Sequence, residues 1–362
     1  MQTNSTHFAN RPAIRGGALA LIAAVLFGIS TPLLQFFGRS VGAFTTAALL
    51  YAGAAMIGAL LTKHVDREAR VMRSDGRRLA LVALFGAVIG PVALAWGLQH
   101  TSGMGASLML SLEALFTVFL ARILYRETME SRVWIAVLLL FCGALVLVFD
   151  QARDQNNFVA SAQTLGLLAV IVATAAWGVD NTLSRALAER DPGQVVMIKA
   201  TLGAAATAIL GYLFGESLPA WTAVIGLLAV GATGYGLSLR FYLLAQRSFG
   251  AGRTGSVFAF APFIGALFAM ALGDRSASVG LMAGGLLMLA GVALHLMENH
   301  GHEHTHLALE HEHAHQHDDD HHNHSHDDKQ LAQGSIHSHW HQHRPTRHTH
   351  AHAPDVHHEH TH

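Results

Sequence analysis

The chain is short of charge and nearly without cysteine. Asp, Glu, Lys and Arg make up only 13% of its 362 residues, while 51% are hydrophobic. A soluble chain of this length would carry about a quarter charged residues spread over two or three domains. The formal net charge is −1, which removes any global electrostatic argument for nucleic acid as a partner. A single cysteine, Cys142, excludes an intrachain disulfide. Its setting, WIAVLLLFCGALVLVF, reads as small core filler rather than a reactive thiol. No Walker-type phosphate loop is present. Neither ATP hydrolysis nor any other enzymatic activity is expected.

What the chain does have is long apolar runs. About twenty such residues, rising about 1.5 Å each, cross a hydrocarbon layer about 30 Å thick. Windows of that kind lie near 18–37, 43–62, 79–98, 104–124 and 132–149, then near 165–186, 194–214, 222–243, 254–273 and 279–297. The first follows Arg11 and Arg15 and could pass for a signal peptide. It continues for about twenty residues without a small-x-small cleavage site, so it reads as a retained helix. The expected fold is all-α and integral to a membrane, with ten transmembrane helices.

Basic residues set the orientation. Lys63, Arg67, Arg70, Arg73, Arg77 and Arg78 share one loop, and Arg126, Arg132, Arg190, Arg247 and Arg253 fall on the same side. The other side holds only Arg39, Arg153 and Arg275. Both termini are therefore expected in the cytoplasm of a bacterial cell, with the chain in its inner membrane.

A shift of 150 residues aligns AAVLFGISTPLL with ATAAWGVDNTLS, pairing Phe27 with Trp177, Gly28 with Gly178 and Gly53 with Gly203. Near a shift of 148, SLEALFTVFLA faces FAPFIGALFAM and Gly143 faces Gly291. Five spans per half force the second half in with opposite topology, the inverted repeat of many secondary transporters. The expected organisation is a segment 1–17, a first repeat 18–149, an external linker 150–164, a second repeat 165–298 and a tail 299–362. Each half ends in a small-residue helix, FCGALVLVF or MLAGVALHL, with an acidic residue before it in LYRETMESRVW and ALGDRSAS. In this the chain resembles the EamA-type members of the drug/metabolite transporter superfamily. The resemblance implies a central cavity lined by the first, third, fourth, sixth, eighth and ninth helices, and a cargo among amino acids, metabolites, drugs or cations. One departure is SLEALF in the fourth span, where the family commonly has proline after a small residue, as APFI does in the second half.

A charge at mid-bilayer costs about 2.5–3.5 kcal/mol on insertion scales and needs a reason. Glu113 lies in the middle of the fourth span, and Asp180 beside Asn181 in the sixth. Two carboxylates on cavity helices suit a divalent cation, proton coupling, or both. The structural alternative pairs Asp180 with Arg240, or Glu113 with His100. Glu113, Asp180, Asn181, Arg240 and His100 are the candidate path residues. Lys199, close to a helix end, is expected to reach toward the interface. Met104 and Met109 read as packing. The glycines of GATGYG, with Pro32, Pro91 and Pro262, suggest tight crossings or local unwinding.

Of 27 histidines, 23 lie at or beyond His300. They alternate with other residues in HGHEHTH, HEHAHQHDDDHHNHSH and IHSHWHQH, unlike a consecutive tag. Such a tail cannot bury a core and is expected to be disordered without metal. The candidate ligands are His300, His302, His304, His306, His311, His313, His315, His317, His321, His322, His324, His326, His337, His339, His341 and His343. Neutral imidazole suits Ni²⁺, Co²⁺ or Zn²⁺, whereas Ca²⁺ and Mg²⁺ prefer oxygen shells. No cofactor is needed for the fold. Histidine-rich tails on EamA-type proteins resemble those of nickel- and cobalt-resistance exporters. The leading expectation is an exporter of Ni²⁺ or Co²⁺ by proton antiport. A metabolite or amino-acid exporter whose tail only binds metal, and a metal sensor or store, are the alternatives. Expected partners are the lipid bilayer and the cargo, with a homodimer left open.

Overall fold

The computed structural model describes residues 12–61, 71–125, 131–152, 158–184, 187, 190–249, 251–296 and, in the tail, 301–306, 309–315, 337–343 and 346–351. The first half comprises α1 (Pro12–Gly38), α2 (Ala43–Leu61), α3 (Arg73–His100), α4 in two segments (Gly103–Met109 and Leu112–Tyr125) and α5 (Ser131–Ala152). The second comprises α6 (Phe158–Ser184), α7 (Pro192–Leu213), α8 (Trp221–Phe249, with a change of helix type inside), α9 in two segments (Ala251–Phe258 and Ala261–Ala271) and α10 (Val279–Leu296). Nine of these helices are long and apolar enough to cross a membrane, and α10 is a shorter apolar helix. Because α5 runs to Ala152 and α6 starts at Phe158, most of the expected external linker is helical. The basic residues Lys63, Arg67, Arg70 and Arg126, and the linker residue Arg153, lie outside the described residues.

Helix pairing reveals the repeat. α2 packs on α7, and α5 on α10. α1 packs on α8 and on the second segment of α9, while α6 packs on α3 and on the second segment of α4. Exchanging the halves therefore maps the α2–α7 and α5–α10 contacts onto themselves and the contacts of α1 onto those of α6. The matched glycines occupy equivalent crossings. A Cβ on Gly28 would lie 2.5 Å from the Ala261 carbonyl of α9, and one on Gly178 would lie 2.6 Å from Phe116 of α4. Gly53 and Gly203 are likewise pressed against Leu228 of α8 and Ala87 of α3. Lipid offers no hydrophobic drive between helices, so such close backbone approach is a main source of association.

Two further features obey the same symmetry. α3 passes through a π-helical stretch at Leu84–Ile89, and α8 through another at Gly231–Leu237, within GATGYG. α4 breaks after Met109, and α9 breaks after Phe258 ahead of Pro262. Pro32, by contrast, sits inside a continuous α1.

Beyond α10, the described tail backbone falls in β1 (Gly301–His306), β2 (Leu309–His315), β3 (His337–His343) and β4 (Thr346–Ala351). β1 pairs with β4 and β2 with β3, both antiparallel. Composition points to a tail without order, yet His-x-His alternation has the two-residue period of a strand. The register sets His311, His313 and His315 opposite His341, His339 and His337. His300, His317, His321, His322, His324 and His326 lie outside the described residues.

Candidate functional site

A cavity of about 120 Å³ lies between α1, α2, α4, α6, α7, α8 and α9. Its lining residues come mainly from the halves of these helices toward the side of the 62–78 loop, here termed the basic side. Phe27, Tyr51, Trp177, Tyr235, Tyr242 and Phe258 supply aromatic walls, and Glu113, Asp180, Asn181 and Lys199 the polar floor. The rings brace one another: Phe27 meets Trp177 and Tyr235 edge-on at centroid distances of 6.2 and 5.9 Å.

Glu113 reaches this site through a break in α4. Leu110 and Ser111 interrupt the helix, and Glu113 falls in the first turn of the segment that restarts at Leu112. The positive end of a helix dipole attracts a carboxylate there. Asn181 Nδ2 donates to Glu113 Oε1 at 2.6 Å. Asn181 on α6 thus joins two helices from opposite halves.

Asp180 is the most committed of the polar groups. Its Oδ2 accepts from Lys199 Nζ in an ion pair, and Ser184 Oγ donates to its Oδ1 at 3.2 Å. Both partners are buried, with Asp180 5% and Lys199 8% exposed. Lys199 therefore turns inward to Asp180 instead of reaching to the interface. Only a glycine opposite leaves room for this carboxylate, since a Cβ on Gly86 would lie 2.2 Å from Asp180 Oδ2. The π-helical stretch around Gly86 also turns its carbonyl to use: Trp177 Nε1 donates to it at 3.1 Å, and so does the Tyr51 hydroxyl. Such π segments recur at functional sites.

Of the five candidate path residues, Glu113, Asp180 and Asn181 come together. Arg240 does not line the cavity; its Nη1 donates to the Leu61 carbonyl at 3.4 Å, away from Asp180. His100 sits at the far end of α3, stacked on Trp96 at 4.1 Å with Nδ1 2.8 Å from the Trp96 carbonyl. Neither potential partner for the carboxylates is thus the one used. Met104 and Met109 are buried packing residues. Among the described residues, no three His, Cys, Asp or Glu side chains converge as a metal shell.

The side remote from the basic loop is held together by side chains capping helix starts. Glu216 accepts from the backbone N–H of Phe44 and Thr45 at 3.1 and 2.7 Å, at the head of α2. Asp274 accepts from Met104 N at 2.9 Å, at the head of α4. Gln35 donates to the carbonyls of Leu98 and Thr101 at 3.1 and 2.8 Å. Burial alone would raise the Asp274 carboxyl, but hydrogen bonds from Ser276 and from the Met104 and Gly103 backbone hold it below its ordinary value. A depressed carboxyl contributes stability above its unfolded value, about 3.9, that disappears as pH falls through the folded value. Asp274→Asn should therefore lower the melting temperature at neutral pH, at a cost of about 0.3–1 kcal/mol, the worth of a carboxylate charge at a helix start. Its deficit against wild type should shrink below about pH 4. An undiminished deficit in acid would show that the carboxylate charge is not what seals this end.

Comparison with known proteins agrees with this architecture. A transporter from Methanothermobacter thermautotrophicus, described only as uncharacterized, is 28% identical over 300 residues, spanning 76% of this chain and 84% of its own. A solved crystal structure superposes with a TM-score of 0.57 at 21% identity, covering 76% of this chain and 95% of its own, and speaks for the fold alone. The profile of the EamA-like transporter family matches residues 14–149 and 164–297, the two halves related above. The chain is thus a multi-pass membrane transporter that belongs to the EamA-like family.

Proposed function

We propose that this transporter exports a small divalent cation, Ni²⁺ or Co²⁺, across the bacterial cytoplasmic membrane in exchange for protons. The observation that carries the reading is a cavity of about 120 Å³ whose polar floor holds two carboxylates, Glu113 and Asp180. That volume is small beside sites for drug-sized ligands, which span about 300–1,000 Å³. A partly hydrated ion fits such a space. Intramembrane carboxylates in such a cavity are the ordinary means of coupling ions to protons. The tail supports the same cargo, because its register sets histidine opposite histidine along paired strands. Imidazole favours the borderline transition metals. Cells or inverted vesicles carrying the full chain should extrude Ni²⁺ or Co²⁺ faster than vector controls across a metal panel. A chain ended after residue 298 should retain the path and extrude less, having lost most of its metal-binding capacity. No metal-dependent flux from the full chain would end this reading.

A second reading has its own observation. An ammonium and a carboxylate side by side, within aromatic walls, match the two charges of a small amino acid. Counterflow of amino acids without metal flux would favour it.

Positive-inside places the basic side, and with it the cavity and tail, in the cytoplasm. Reporters fused after residue 298 and within 63–78 should both read cytoplasmic. A periplasmic signal at either point would sink the ten-span topology.

A further inference from the structure

A cation site gains nothing obvious from a resident cation, yet Lys199 lines this cavity and holds one of its two carboxylates. Three observations define its position. The pair is buried, with side-chain exposures of 10% for Lys199 and 7% for Asp180. It bridges α6 and α7, the helices on either side of the 185–191 connection. Glu113, held by Asn181, lies within electrostatic reach of both partners.

We propose that Lys199 is the tethered counter-cation of the empty carrier, taking the place of the cargo's positive charge at Asp180 while the cavity closes and reopens without an ion. The proposal rests on the reading of this cavity as a divalent-cation site. A carboxylate enclosed with no cation is strongly disfavoured in a low-dielectric interior, so a carrier with a bare Asp180 would stall after releasing its load. An ammonium on a flexible four-carbon stem removes that obstacle and can be pushed aside by a dication, whose charge is twice as large. The displaced ammonium has somewhere to go, because Tyr51, Trp177 and Tyr235 line the same space and aromatic faces attract cations. Lys199 stays charged throughout; it moves, and the proton traffic falls to Glu113.

The test uses the full chain in proteoliposomes with radioactive Ni²⁺ as the probe, in two modes. Lys199→Gln, read per folded transporter because it leaves Asp180 without its partner, should lower net Ni²⁺ movement into metal-free buffer at least tenfold more than it lowers Ni²⁺/Ni²⁺ exchange, since exchange never requires an empty carrier to move. Lys199→Arg should restore net movement. A role in bracing alone would lower both modes together, and that result would overturn the proposal. A second measurement needs no cargo. After Cys142→Ala, spin labels at Ser40 and Arg275, both exposed on the side remote from the basic loop, report whether that side opens. Metal-free wild type should show two distance populations, Lys199→Gln one, and both Lys199→Arg and the neutral pair Asp180→Asn/Lys199→Gln two. Two populations in Lys199→Gln, or one in wild type, would refute the tethered counter-cation. Absence of Ni²⁺ flux in wild type would instead count against the metal cargo, leaving the distance populations to decide on Lys199.

Discussion

Glu113→Gln should insert normally, reach wild-type abundance and lose net cation efflux by about two orders of magnitude, the range typical for removing a positioned proton-transfer group. The amide keeps the shape of the side chain and can still accept the Asn181 hydrogen bond that spans 2.6 Å. What it removes is a charge that appears and disappears at the restart of α4. Residual transport should lose its pH dependence, and Glu113→Asp should be partly active. A bracing role makes the opposite forecast: Gln would preserve transport, while Ala would lower abundance by dropping the contact between α4 and α6. Efflux per unit of membrane protein, taken at several pH values, separates these outcomes. Wild-type efflux by the Gln variant would remove Glu113 from the mechanism and leave Asp180 as the carboxylate to pursue.

Asp180→Leu is expected to have the largest effect on the protein itself. It leaves the Lys199 ammonium buried without its anion, a loss of about 3–5 kcal/mol when one member of a buried pair is deleted. Set against a total stability of about 5–15 kcal/mol, that is enough to remove most folded protein from the membrane. Adding Lys199→Met to Asp180→Leu should restore abundance, because exchanging a whole buried ion pair for apolar residues is often neutral or stabilising. Transport should be absent from both variants. Thermal melting in detergent together with membrane abundance measures the difference. Equal melting of wild type and Asp180→Leu would mean that the pair contributes nothing to the fold.

The spans and the repeat could be read from apolar runs and paired glycines because bilayer thickness and close helix crossings leave period and composition behind. Glu113 and Asp180 stood out for the same reason, each a charge inside a run that excludes charge. Lys199 did not. A lysine at the eighth position of α7 can bend toward water or turn inward, and the choice depends on rotation about the helix axis, which α2 and α3 fix by packing. The break in α4 was equally hidden. Pro262 marks its counterpart in α9, but Leu110 and Ser111 carry no breaker. Arg240 of α8 is a plausible partner for Asp180 by charge, but the pair forms with Lys199 on the neighbouring helix.

The two π-helical stretches carry a consequence for chain length. A π turn absorbs one residue beyond the α-helical count. The faces of α3 on either side of Leu84–Ile89 are therefore out of step with a continuous period of 3.6, and the same holds for α8 around Gly231–Leu237. An amphipathic wheel drawn through either helix would mix lipid-facing and cavity-facing positions. The converse is a rule for shortening the chain. Loss of one residue inside either stretch would let the helix close into a regular α-helix with both flanks still facing their present neighbours. The same loss elsewhere in α3 or α8 would turn every residue beyond it by about 100°. In α3, the residue given up would take with it the carbonyl geometry that now receives Tyr51 and Trp177.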